Sequence, residues 1–130
     1  MDGLSGYNQI KMYSKDEKHI SFRTPLGVYC YTVIPFGLKN AGATYQHAMN
    51  VIFHEHICKT IECYVDDIAV KSRDNGDHLA DLKRVFNIMQ AHQFKMNPTK
   101  SLLGVASGKF LRFLVTSKGI HLDPEKIRAI

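Results

Sequence analysis

The sequence predicts an α+β fold: an antiparallel sheet with two helices packed on one face and the other face open to a ligand. Three observations predict it. Short apolar alternating runs come in pairs, as the arms of hairpins do, at residues 20–24 with 28–34, on both sides of Tyr64-Val65-Asp66-Asp67, and at residues 110–115 with 120–122. Two longer stretches, 45–56 and 79–89, space their apolar residues by three and four, as amphipathic helices do. The order strands, helix, hairpin, helix, hairpin groups the strands as an α+β sandwich does.

A chain of 130 residues makes one domain with a modest core. The formal net charge of +5 leans the surface basic and favours an anionic partner, nucleic acid first. Cys30, Cys58 and Cys63 are an odd number at uninformative spacing and, with no signal peptide, read as reduced thiols in an intracellular protein. No apolar run approaches the roughly 20 residues that span a membrane, so no membrane partner is expected. Both ends read as cut from a longer parent. Met1 meets Asp2-Gly3 with no strand ahead of it, and Asp123-Pro124-Glu125-Lys126-Ile127 begins a helix that runs for only about two turns.

Taken in order, residues 2–10 form a turn leading into a short helical or irregular segment, where Gly3 and Gly6 allow backbone amides to approach a ligand. Residues 20–24 make a strand, Pro25-Leu26-Gly27 a turn, and residues 28–34 a second strand ended by Pro35-Phe36-Gly37. Asn40 caps a helix whose buried stripe is Tyr45, Ala48, Met49, Ile52, Phe53 and His56. His54, His56 and Cys58 do not share one face and have no second ligand pair, which argues against zinc. Arg73-Asp74-Asn75-Gly76-Asp77 is a polar loop, and Asp77 caps a helix marked by Leu79, Leu82, Val85, Phe86 and Met89. Residues 95–97 form a short strand before Pro98. Ala106-Ser107-Gly108 is a turn, residues 110–115 are a strand, and Ser117-Lys118-Gly119 turns it into residues 120–122.

Everything is organised around Tyr64-Val65-Asp66-Asp67. A hairpin built only for stability places Asn-Gly or Asp-Gly at its tip, because such turns need positive φ. Here a β-branched valine is followed by two carboxylates that repel one another and raise the cost of ionisation. A bound divalent cation removes that cost. The bland alternative is an exposed acidic tip.

Four stretches stand together in an order and spacing that resemble the reverse transcriptases of gypsy-type LTR retrotransposons, with wording closest to plant elements. They are Asp2-Gly3-Leu4-Ser5-Gly6-Tyr7-Asn8-Gln9-Ile10, Ile34-Pro35-Phe36-Gly37-Leu38-Lys39-Asn40-Ala41-Gly42-Ala43-Thr44-Tyr45-Gln46, Tyr64-Val65-Asp66-Asp67, and Phe110-Leu111-Arg112-Phe113 with Lys118-Gly119-Ile120. The resemblance covers nearly the whole chain. It implies a partial reverse transcriptase domain over residues 1–130: a polymerase palm with part of the fingers and a primer-gripping hairpin, without thumb, connection or ribonuclease H.

The resemblance further implies that Asp2, Asp66 and Asp67 are catalytic and hold two Mg²⁺ ions, with Mn²⁺ as a substitute. Strand alternation sends Asp66 and Asp67 to opposite faces, so the two are not equivalent; with the resemblance, the expectation is a direct ligand in Asp66 and a secondary role for Asp67. Ser5 and Gly6 amides would face a deoxynucleoside triphosphate. Tyr7 would gate the sugar, Phe36 and Gly37 would pack by nucleotide and template, and Val65 would touch the primer end. Tyr64, Leu111, Arg112 and Phe113 would contact the primer strand. The implied partners are an RNA or DNA template with its primer, deoxynucleoside triphosphates and the rest of a polyprotein. Where the strand ahead of Asp2 would pair, an open sheet edge predicts self-association.

Two positions depart from the family. Arg112 stands where glycine is usual, and Ser101 stands where cysteine is usual, the latter with no expected consequence. The alternative to an RNA-directed DNA polymerase is a catalytically silent fragment acting as a nucleic-acid or protein interaction module. An RNA-recognition sheet built on residues 109–115 lacks the glycines of that motif and leaves the acidic tip unexplained.

Overall fold

The computed structural model describes residues 1–73 and 76–122. Its elements are β1 (Ser21–Thr24), β2 (Gly27–Cys30), α1 (Ala41–Ile52), β3 (Ile61–Tyr64), β4 (Asp67–Val70), α2 (His78–Ala91), β5 (Ser107–Phe110), β6 (Phe113–Thr116) and β7 (Gly119–Leu122). The expected helix start at Asp123 and the loop residues Asp74 and Asn75 lie outside the described residues.

β3 and β4 pair antiparallel with Ile61 opposite Val70, Cys63 opposite Ile68, and Tyr64 opposite Asp67. Cross-strand partners share a face, so Ile61, Cys63, Ile68 and Val70 form one side, and Glu62, Tyr64, Asp67 and Ala69 the other. The apolar side meets both helices. α1 contributes Tyr45 and Met49, the residue after it contributes Phe53, and α2 contributes Val85 and Met89; with Ile61 and Ile68 these are the buried core. This is the expected α+β arrangement, with helices on one face of the central hairpin.

Residues 1–3 extend this hairpin into a larger sheet. Ile68 N–H donates to the Met1 carbonyl at 2.9 Å, and the Met1 amino group donates to the Ile68 carbonyl at 2.7 Å. On the other side, Asn97 N–H donates to the Asp2 carbonyl at 2.8 Å and Leu4 N–H to the Lys95 carbonyl at 3.0 Å. Gln9 ties the same edge: its amide donates to the Leu4 and Lys95 carbonyls at 2.7 and 2.8 Å and accepts from Lys95 N–H at 2.6 Å. Residues 1–3 thus have neighbours on both sides, whereas β4 has β3 as its only strand partner among the described residues.

Several boundaries differ from the sequence reading, each for a local reason. β2 ends at Cys30, because the chain beyond it leaves β1 and pairs with residues 10–12 instead, through Met12 N–H to the Thr32 carbonyl and Ile34 N–H to the Ile10 carbonyl. α1 ends at Ile52, so His56 lies beyond the helix. Asn40 and Asp77 occupy the cap positions, but neither side chain makes a capping hydrogen bond. On α2, Leu82, Val85 and Met89 are buried, whereas Leu79 is 78% exposed and Phe86 36% exposed. Leu79 sits in the first turn, and Phe86 is one residue, about 100° of rotation, past Val85.

The last sheet is re-registered most. Residues 107–110 form β5, where a turn was expected, and the turn falls inside the run read as one strand. Phe110 pairs with Phe113, leaving Leu111 and Arg112 as a two-residue loop with φ of 50° and 70°. Positive φ at both positions fits glycine or asparagine, and an L side chain there costs about 1–2 kcal/mol per residue. Arg112→Gly relieves one such position while adding freedom to the unfolded chain. The expected result is a net local gain, read as amide exchange at Phe110 and Phe113 slowed about two- to fivefold.

Candidate active site

Strand register pairs two of the three carboxylates, Asp2 and Asp67, and leaves Asp66 in the adjoining turn. Asp2 is bridged antiparallel to Asp67, directly opposite it, and so lies on the face turned away from the helices. Asp66 is the second residue of the turn between β3 and β4, and its carboxylate turns the other way, over Gly6 and against Tyr45 of α1. The register thus places Asp67, not Asp66, across from Asp2. Asp2 and Asp66 are half-buried and Asp67 is exposed.

The turn is held in a conformation its sequence disfavours. Val65 has φ 49°, which crowds a β-branched side chain and costs on the order of 1–3 kcal/mol. Gln46 on α1 holds it there. Val65 N–H donates to Gln46 Oε1 at 2.7 Å, and Gln46 Nε2 donates to the Cys63 carbonyl at 3.1 Å and to Asn50 Oδ1 at 3.0 Å. One side chain therefore grips both sides of the acidic tip. Asp2 has its own support: its N–H donates to Ser101 Oγ at 3.2 Å, and that hydroxyl donates to the Asn97 carbonyl at 2.7 Å. Ser101, read as inconsequential, fastens the backbone of an acidic residue to the neighbouring segment.

The electrostatics are those of crowded acid. Burial pushes the Asp66 carboxyl above the usual carboxylate range, and Asp2 and Asp67 push in the same direction; Tyr45 and Lys100 pull it back. A carboxyl whose pKa is raised by folding stabilises the fold when protonated, so its cost is fully present at neutral pH. Burial likewise raises the Tyr45 hydroxyl, with Asp66 next in effect. Burial and Glu62 push the Cys63 thiol up to about 12, which leaves it an inert core group.

The fit to a divalent cation rests on chemistry more than on a finished cage. Asp66 Oδ1 is buried without a well-formed hydrogen bond, the Tyr45 hydroxyl being the hydrogen-bonding side chain that acts on it, which is a costly state for a carboxylate oxygen. Aspartate carboxylates are hard oxygen donors of the kind that Mg²⁺ or Mn²⁺ takes. Among the described residues, no three acidic, histidine or cysteine groups converge into a ready ligand set. Mg²⁺ does not require one, since it is usually held by one or two carboxylates together with waters and substrate phosphates. The residues present fit such an ion.

The other expected site residues divide into two groups. Tyr7 is brought to Phe36, edge to face with centroids 5.2 Å apart, and to Tyr45 at 5.3 Å. Phe36 is 69% exposed, and Gly37 beside it has φ 96° with open space around it. Ser5 is exposed in the left-handed region at φ 49° and leads into the short 3-10 turn Gly6–Gln9. Tyr64 is exposed beside the acidic tip. By contrast, Leu111, Arg112 and Phe113 belong to a separate three-stranded sheet, none of whose strands pairs with β3 or β4. The two glycines also earn a different reason from the one expected. Gly3 and Gly6 are buried, and what approaches them is Tyr45, Phe94 and Asp66 of this chain.

Gln46, Ser101, Lys100 and Tyr45 were not singled out as site residues. Gln46 lies one position beyond Tyr45 in the helical stripe, and nothing in the spacing shows that it reaches the hairpin. Ser101 and Lys100 reach the site only because residues 95–97 pair with residues 1–3.

The sequence and the fold both have known relatives. The family described as "Reverse transcriptase (RNA-dependent DNA polymerase)" matches residues 1–115. The Pol polyprotein of transposon opus from Drosophila melanogaster is 38% identical over all 130 residues, which are 13% of that polyprotein. The Drosophila gypsy polyprotein is 32% identical over the same span, also 13% of its length. The Tf2-3 transposon polyprotein of Schizosaccharomyces pombe is 30% identical over 127 residues, 98% of this chain and 10% of the polyprotein. Among solved structures, a foamy viral protease-reverse transcriptase in complex with RNA/DNA hybrid superimposes with a TM-score of 0.85 at 25% identity, over 99% of this chain and 18% of that one. A form of the same enzyme in complex with double-stranded DNA gives 0.87 at 25% identity, over 99% and 23%. The chain spans only about an eighth of the curated relatives it matches, and it belongs to the reverse transcriptase family.

Proposed function

We propose that this chain is the palm, with part of the fingers, of an RNA-directed DNA polymerase within the polyprotein of a gypsy-type LTR retrotransposon, and that its acidic patch serves two-metal nucleotidyl transfer. The observation that carries this is the register: residue 2 is sewn into the sheet beside residues 66–68, at a strained turn that carries Asp66 and Asp67. Two bound Mg²⁺ ions would activate a primer 3′-hydroxyl and steady the leaving triphosphate oxygens. Asp2 and Asp66 are the residues to hold them, with Asp67 as the secondary carboxylate. Ser5 and Gly6 offer amides to the triphosphate. The Tyr7–Phe36 edge-to-face pair forms a firm wall for the sugar and base of a deoxynucleoside triphosphate. Val65 and Tyr64 lie at the tip where a primer end would sit, and Leu111, Arg112 and Phe113 would contact the primer strand on a template of RNA or DNA. A plant host rests on the wording of the four motif stretches, and an intracellular setting on the reduced cysteines. No helix among the described residues is long and apolar enough to cross a membrane. Self-association through a remaining sheet edge is part of the same proposal.

Calorimetric titration with Mn²⁺ tests it. The wild-type chain is expected to bind, and Asp66→Asn to lose more affinity than Asp67→Asn. A longer protein that includes fingers and thumb should then give primer extension that Asp2→Asn and Asp66→Asn abolish. Absence of Mn²⁺ binding in the wild type overturns the reading. A second reading, a catalytically silent interaction module, is favoured by one observation: the carboxylates do not close into a ligand set among the described residues.

A further inference from the structure

Two buried oxygens in this structure have no well-formed hydrogen bond to any other group, and they belong to the same spot. Among the described residues they are the Tyr45 hydroxyl and Asp66 Oδ1. A carbon placed on Gly6 would lie 2.6 Å from the first and 2.5 Å from the second. The two atoms therefore border the same small space that a glycine leaves open. Tyr45 is fully buried, at 0% exposure, with its ring edge-on to Tyr7 at 5.3 Å and tilted against Phe94 at 6.5 Å. Only the hydroxyl proton is free to choose a direction.

Buried polar groups without partners are rare, and two side by side, one a donor and one an acceptor, are rarer. Apolar packing accounts for the ring but not for the oxygen, since phenylalanine fills the same volume without the desolvation cost of about 1–3 kcal/mol. The apolar stripe of α1 placed Tyr45 in the core on spacing alone, and no role in the site follows from that spacing.

We propose that Tyr45 is a positioning residue for Asp66: its hydroxyl donates to Asp66 Oδ1 and fixes the orientation in which that carboxylate meets a cation. The rest of the surroundings are consistent with this. Gly6 keeps the space between the two oxygens clear, and Gln46, the next residue on α1, holds the backbone of the same turn. α1 thus grips the acidic tip twice, once at the main chain of Val65 and once at the side chain of Asp66. Asp2, Asp67 and Lys100 are the other charged groups that act on this carboxylate. The cation part of the proposal rests on the polymerase reading above; the Tyr45–Asp66 contact does not.

The test is a double-mutant cycle on the full chain, with Tyr45→Phe and Asp66→Ala, read by urea unfolding. If the hydroxyl holds the carboxylate, Tyr45→Phe lowers the urea midpoint in the wild-type background and leaves it unchanged or raised in the Asp66→Ala background. Tyr45→Phe also moves the carboxyl ¹³C resonance of Asp66, a change that packing alone does not produce. Equal increases in the midpoint in both backgrounds, with that resonance unmoved, overturn the proposal: the hydroxyl is then an unsatisfied core group. Mn²⁺ titration separates the two readings. An outer partner of a ligand is worth about 10–100-fold in affinity, and Tyr45→Phe should lose at least tenfold. A coupled cycle in a chain that binds no Mn²⁺ supports the contact and defeats the metal reading instead; unchanged affinity in a chain that does bind overturns the positioning role.

Discussion

Gly6→Ala is expected to cost about 2–3 kcal/mol of stability and to abolish Mn²⁺ binding together with it. The added methyl would lie 2.5 Å from Asp66 Oδ1, 2.6 Å from the Tyr45 hydroxyl and 2.7 Å from Tyr45 Cε2. None of these can step aside cheaply. Tyr45 is locked between Tyr7, Phe94 and the core, and Asp66 is carried by a turn already in a strained conformation. The backbone of Gly6 is not in the left-handed region, so the whole effect is steric. That gives an internal control in Gly42, where an added methyl meets only the Tyr7 hydroxyl at 3.7 Å. In helix α1, Gly42→Ala should instead gain up to about 1 kcal/mol. Urea unfolding of the pair decides it: similar midpoints for the two variants would mean that Gly6 is not a packing glycine.

The second large effect is in the core. Phe53→Ala should lose about 3–5 kcal/mol, because the ring is fully buried where α1 ends and the chain turns toward β3. Its backbone is engaged as well, accepting from the N–H groups of His56 and Ile57 at 2.8 and 3.0 Å, so the turn cannot collapse freely into the cavity. Domains of this size have only about 5–15 kcal/mol in total, and the variant should be largely unfolded near 37 °C by circular dichroism. A loss under about 1 kcal/mol would show that the helix–hairpin junction is not packed as described.

The elements legible in the sequence were those whose period was uninterrupted. The stripe of Tyr45, Met49 and Phe53, the alternation around Cys63, and the break between them placed α1, β3 and the acidic turn in the right order. The four motif stretches placed the family. Local spacing did not reveal where β2 stops, because that depends on residues 10–12 competing with β1 for hydrogen bonds. Nor did it reveal the turn at Leu111-Arg112, where an apolar run carries no glycine to mark the reversal. At the candidate site, the acidic residues were visible as residue types, whereas their supports were not. Gln46, Tyr45 and Ser101 act through distances that exist only once the helix and the pairing of residues 1–3 are in place.

That pairing also sets an order of assembly. Residues 1–3 complete the sheet only by meeting partners 67 and about 95 positions further along the chain. During synthesis residues 1–3 lack these sheet partners while α1, the acidic hairpin and α2 form behind them. Contacts of such long separation are slow to close and form late. Mutual repulsion among the carboxylates is therefore met only after the framework that restrains them exists. By the same logic, the acidic centre is the last part of this fold to form and the first to come apart when residues 1–3 detach.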